Sequence, residues 1–171
     1  MQRFKVALLV FGLGFAGLAS GDGGAHVHGR AQLTVAAASG ELQIGFESPA
    51  ANLVGFEHAP RGPSQVEALD RAARDLAGAN RFLRFSGTDC RLREAGVEAP
   101  HSGEQEAHHH RHASFRASYR FQCDNLAQLD GVAVALFTSF PGIHEIAVQW
   151  LAPGGQGAAL LTAQDNELQL K

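Results

Sequence analysis

Five of the nine histidines stand within twelve residues, as His101, His108, His109, His110 and His112, between the only two cysteines, Cys90 and Cys123. Neutral imidazole is the commonest protein ligand for zinc and also suits copper and nickel, so the chemistry on offer here is metal binding. Zinc takes four ligands in a tetrahedron, and adjacent histidines on a mobile loop offer many overlapping partial sets, which suits capture and transfer. Ordering such a loop costs conformational entropy, so a weaker affinity than that of a preformed site is expected, with steep loss below about pH 6 as imidazoles protonate. Zn2+ is the expected ion, and Cu2+ and Ni2+ are expected to compete in vitro. Two plainer readings stand beside this one. Purification tags sit at chain ends, whereas this run is internal and broken by Arg111; a solvated polar loop with no ligand is the better alternative.

A second group, His26-Val27-His28-Gly29, lies near the amino terminus. If the first strand starts there, His26 and His28 project to the same face as Arg30 and Gln32 and come within reach of one metal. His58 follows Glu57, and His144 precedes Glu145. Each of these two reads either as a ligand supported by its carboxylate neighbour or as a hydrogen-bonded loop histidine, and for a lone residue the second reading is preferred. The candidate metal set is therefore His26, His28, His58, His101, His108, His109, His110 and His112, with His144 standing between the two readings.

The compartment is set by the first residues. Arg3 and Lys5 precede an apolar run from Val6 to about Leu18, too short to span a bilayer comfortably, and Ala19-Ser20-Gly21 follows, the layout of a secretory signal peptide over residues 1–21. Residues 22–171 then form one domain by the usual length prior. Removing the leader takes two of the 14 basic residues and leaves 12 against 17 acidic ones, a net charge near −5, which argues against nucleic acid as a partner. No later apolar run has membrane-spanning length, so no stable membrane insertion is expected after cleavage. Cysteines of an exported protein normally pair. A Cys90–Cys123 bridge closes a loop worth about 3 to 4 kcal/mol in the chain-entropy model and is expected to anchor both ends of the histidine loop, at about 99–113. The alternative, two thiolate ligands, lacks the short C-x-x-C spacing.

Most of the mature chain alternates as strands do. Ala31, Leu33 and Val35, then Leu42, Ile44 and Phe46, flank Ser39-Gly40 and read as a hairpin. Asn52 to Pro63 reads as a loop. Ser64 and Glu67 form a capping box for a helix over about 64–78, with Val66, Leu69, Ala73 and Leu76 on one stripe and Gly78 placed to end it. Strands are expected over Arg81 to Phe85, Thr88 to Val97 and Phe115 to Cys123. More are expected through Val132, Val134 and Leu136, through Ile146, Val148 and Trp150, over Ala158 to Thr162 and over Leu168 to Leu170. Phe137 to Phe140 reads as a helical turn stopped by Pro141-Gly142. The expected class is α+β, mostly antiparallel sheet with one main helix and a disulfide-closed histidine-rich loop.

The string His26-x-His28-Gly29, then Ser48-Pro49-Ala50-Ala51-Asn52-Leu53-Val54-Gly55-Phe56-Glu57-His58-Ala59-Pro60, resembles the zinc-regulated periplasmic protein family. Phe115-Arg116-Ala117-Ser118-Tyr119-Arg120-Phe121, Phe140-Pro141, Val148-Gln149 and Gly155-Gln156 extend the likeness over nearly all of the mature chain. The resemblance implies a bacterial periplasmic protein made under zinc limitation. Such a protein binds zinc and assists its import by an ABC-type zinc transporter, with that importer or its solute-binding protein as partner. It places the family's histidine-rich segment on His101 through His112 and its amino-terminal motif on His26 and His28. With only Glu104 and Glu106 nearby, this short insert implies a lower capacity than long His/Asp tracts. Catalysis is not expected: a zinc hydrolase wants three fixed ligands and a base in a spacing such as H-E-x-x-H, which is absent, as are a serine elbow and a P-loop. A metal-independent secreted adaptor domain is the rival reading, and it predicts that losing the histidine loop changes no metal binding.

Overall fold

Strict alternation makes one face of the central long strands apolar. β1 (Arg30–Ala38) buries Ala31, Leu33, Val35 and Ala37, and β2 (Glu41–Pro49) buries Leu42, Ile44 and Phe46. The computed structural model in which this is seen describes residues 28–100 and 113–170. Ser39 and Gly40 join the two strands in a two-residue turn with φ of 55° and 84°, the positive values that match strand twist in a tight hairpin. β4 (Cys90–Glu98) and β5 (Ser114–Cys123) pair antiparallel, as do β7 (Glu145–Ala152) and β8 (Gly155–Thr162). These strands form one six-stranded sheet in the order β4-β5-β2-β1-β7-β8, in which β1 and β7 run parallel and every other neighbour is antiparallel.

A smaller sheet of β3 (Leu83–Ser86), β6 (Gly131–Val134) and β9 (Glu167–Gln169), in the order β3-β6-β9, completes the strands among the described residues. Three helices are present there: α1 (Ala50–Val54), α2 (Pro63–Ala77) and α3 (Leu136–Ser139). The inward face of β5 packs against β3 and α2. Phe121 meets Phe85 edge-on at 4.8 Å, Tyr119 meets Phe82 at 5.9 Å, and the Tyr119 hydroxyl donates to the Leu76 carbonyl at 2.9 Å. Burial holds that phenol well above its ordinary pKa.

The protein is therefore mostly β-sheet with few helices, a stronger bias to sheet than the expected α+β class. Cys90 and Cys123 are joined, which removes them as metal ligands. Their place in the hairpin corrects the anchoring role expected of them. Cys90 pairs with Cys123 at one end of β4–β5, while the segment between the strands leaves from Glu98 and returns at Ser114 at the other end, roughly 25 Å away along the strand. What holds the two ends of that segment together is the pairing of Glu98 with Arg116.

Other boundaries moved for local reasons. Residues 52–54, expected in a loop, belong to α1, which ends at Gly55 with φ 84°. The long helix begins at Pro63, with Gly62 as N-cap and no side-chain cap. Proline suits the first helical position, where its missing N–H would have no partner, so Ser64 falls inside the helix and Glu67 pairs with Arg71 instead. Its buried stripe is Leu69, Ala72 and Leu76, and Val66 is 42% exposed. Gly78 follows the helix as expected but with φ −85°, and the chain runs on through a 3-10 turn over Ala79–Arg81 before β3. Leu136, expected in a strand, opens α3.

Candidate metal centre

Strand register gathers particular chain ends at one end of the six-stranded sheet. Arg30 pairs with Glu145, Pro49 with Ser114, Glu98 with Arg116, and Glu145 with Thr162. The residues just beyond these strand ends therefore lie at that same end. They are His28 before β1, the start of α1 after β2, residues 99, 100 and 113 beside β4 and β5, and His144 before β7, while His58 follows in the loop beyond α1. The Ala50 N–H donates to the Ala113 carbonyl at 2.7 Å, tying α1 to the chain where it re-enters β5. The expected signal peptide and the candidates His26, His101, His108, His109, His110 and His112 lie outside the described residues. In sequence, His101 directly follows residue 100, and His112 directly precedes residue 113.

Asn52 organises this end. It is 5% exposed, and its Oδ1 accepts from the Gly29 N–H at 2.8 Å. Its Nδ2 donates to the Arg30 carbonyl at 3.0 Å and to Ser48 Oγ at 3.1 Å. The Gly29 carbonyl accepts from the N–H groups of both His144, at 2.7 Å, and Glu145, at 3.0 Å. Gly29 thus has both backbone groups satisfied, and its φ of 82° turns the chain before the strand starts. That turn corrects the expected geometry of the amino-terminal motif. β1 begins at Arg30, so His28 is exposed in a turn and shares no strand face with Arg30.

His58 is held differently. Its Nδ1 lies 2.8 Å from the Ala59 carbonyl, and because a carbonyl only accepts, Nδ1 carries the proton and Nε2 keeps its lone pair free for a metal. The ring stacks on Phe56 with centroids 5.1 Å apart. A backbone carbonyl thus orients His58, in the place expected of Glu57. Glu145 likewise does not support His144, because its Oε2 takes both Nε and Nη2 of Arg30, at 3.2 and 2.9 Å. Among the described residues, no three His, Cys, Asp or Glu side chains converge on one point. The described histidines therefore offer separate donors, two of them, His28 and His144, at one end of the sheet.

The concavities lie elsewhere. Thr34, Gly45 and Ser118 floor a trough on the solvent face of the large sheet, beside the ion pairs Arg116–Glu47, at 2.9 Å, and Arg120–Glu94, and none of the described histidines lines it. No helix among the described residues is long and apolar enough to cross a membrane. The residue that sequence reasoning missed is Asn52. Its signal was a polar side chain amid Ala50, Ala51, Leu53 and Val54, in the most specific string of the resemblance.

Fold and site together define a disulfide-linked β-sheet protein that presents imidazole donors at one end. The chain belongs to the ZrgA family of zinc uptake proteins, whose family model matches residues 25–170. No curated protein matches the chain.

Proposed function

We propose that this protein, exported by the signal peptide over residues 1–21, is a periplasmic zinc carrier. It captures the ion through its histidines and hands it to an ABC-type importer or to that importer's solute-binding protein. The observation that carries the reading is the shared end of the sheet. His28 stands there, and the chain leads from there directly into His26 on one side, through α1 toward His58, and into His101 through His112 on the other. Neighbouring imidazoles at one end give an arriving ion many successive ligand pairs, so it can move by exchanging one ligand at a time. Family membership supports zinc as the cargo.

The test is calorimetric titration of zinc into the full mature chain and into a variant with residues 101–112 replaced by a Gly/Ser linker. Wild type should bind several ions and the variant should lose most of them. Equal binding by both would make the insert accessory, and no binding by either would hand the case to the adaptor reading. Mass spectrometry of periplasmic extract should find a mature chain beginning near Asp22.

A further inference from the structure

We infer that His28 and His144 together form a two-imidazole zinc site at the start of the parallel β1–β7 pair. The inference rests on the zinc reading above and adds to it a ligand that the sequence left undecided.

Parallel pairing of Arg30 with Glu145 sets Gly29 alongside His144, and the His144 ring lies directly on that glycine. A Cβ built at Gly29 would stand 2.8 Å from His144 Nδ1 and 3.2 Å from its Cγ, so no larger residue fits between them. Gly29 is itself fixed on both sides, by Asn52 through its N–H and by His144 and Glu145 through its carbonyl. The His28 Cα is one trans peptide away, about 3.8 Å from that of Gly29, less than the reach of a histidine side chain. Gly29 and His144 are thus locked side by side, and His28, the preceding residue along the chain, is near enough for its ring and that of His144 to share one ion at about 2 Å.

The donors are available. His28 and His144 are both exposed, and among the described histidines only His58 has a ring hydrogen bond. Nearby charge does not repel a dication, since Arg30 is neutralised by Glu145 at 2.9 Å. Two protein ligands leave two of zinc's four positions open, to be filled by water, by another histidine, or by a group of the acceptor. Such a site holds the ion less tightly than a closed tetrahedron and lets it leave by ligand exchange. This is the preformed half of a transfer system whose other histidines lie along the chain.

Zinc alone, titrated calorimetrically into the full-length mature chain carrying the Gly/Ser linker at 101–112, isolates this site. One zinc is expected to remain. His28→Ala and His144→Ala should each remove it, and the double variant should lose no more than either single one. Melting of each metal-free variant checks that folding is kept. Should His144→Ala disturb the turn it packs on, His28→Ala still decides, because that side chain is exposed. If wild type binds zinc but the linker variant binds none, or if its site survives loss of His144 or His28, this inference is wrong while the zinc reading stands. If wild type binds no zinc, both fall.

Discussion

Replacing Asn52 by alanine removes three hydrogen bonds at the end of the sheet that bears the histidines. The Gly29 N–H loses its only acceptor among the described residues, and the Arg30 carbonyl and Ser48 Oγ each lose a donor. Ser48 retains its own bond to the Pro49 carbonyl, so the cost falls mainly on Gly29 and Arg30. A buried polar group left without a partner costs about 1–3 kcal/mol, and the Arg30 bond is only partly buried, so a loss of about 2–4 kcal/mol is expected. At about 2–4 °C per kcal/mol for a domain of this size, the melting temperature should fall by roughly 5–15 °C. Urea unfolding followed through Trp150, the single tryptophan, reads the free energy directly. Asn52→Asp sharpens the test: it keeps an acceptor for Gly29 but offers no donor to Arg30 or Ser48, so it should recover less than half of the loss. A cost for Asn52→Ala below about 0.5 kcal/mol, the level of an ordinary surface change, would refute the claim that this side chain organises the site.

Gly29→Ala should destabilise by about 1–2 kcal/mol from the left-handed backbone alone, with more from the clash against His144. In thermal melts, adding His144→Ala should restore only the second part. Converting Cys90 and Cys123 to serine should cost about 3–4 kcal/mol in urea yet leave the zinc isotherm unchanged, because the bridge lies at the opposite end of its hairpin. Tyr119 is protonated more firmly in the fold than in the unfolded chain. Its contribution is therefore fully present below pH about 10 and lost as pH rises toward its folded value. Tyr119→Phe should flatten that alkaline decline while costing about 1 kcal/mol near neutrality for the bond to Leu76, both measurable as urea midpoints across pH.

Side-chain alternation told the inward faces of β1, β2 and β5 correctly, because a period of two survives whichever neighbour a strand takes. Ser39-Gly40 named its own turn, since only a tight hairpin asks for two positive φ values in succession. Alternation does not say which strand lies beside which, and so the parallel β1–β7 pair was invisible. With it went the meeting of His144 and Gly29. The five residues of α1 are too few to express a helical period, and the Ser64 capping box lost to the proline one position earlier. The histidines were legible as composition. That His28 and His144 share one end of a sheet is a fact of topology.

The β4–β5 hairpin bears on how such a protein changes over generations. Its strands are bound by the bridge at Cys90–Cys123 and held in register as far as Glu98 and Arg116, so whatever joins them is a tip on a frame that is already closed. Lengthening a tip is cheap: each doubling of a flexible connection costs only about 0.6 kcal/mol of closure entropy. In the proposed carrier, every added imidazole would be a further ligand, while the sheet, the core and the Asn52 clamp need not change. Cargo capacity and folding stability can therefore drift independently, and a lineage facing scarcer metal can add histidines at this position without redesigning the protein that displays them.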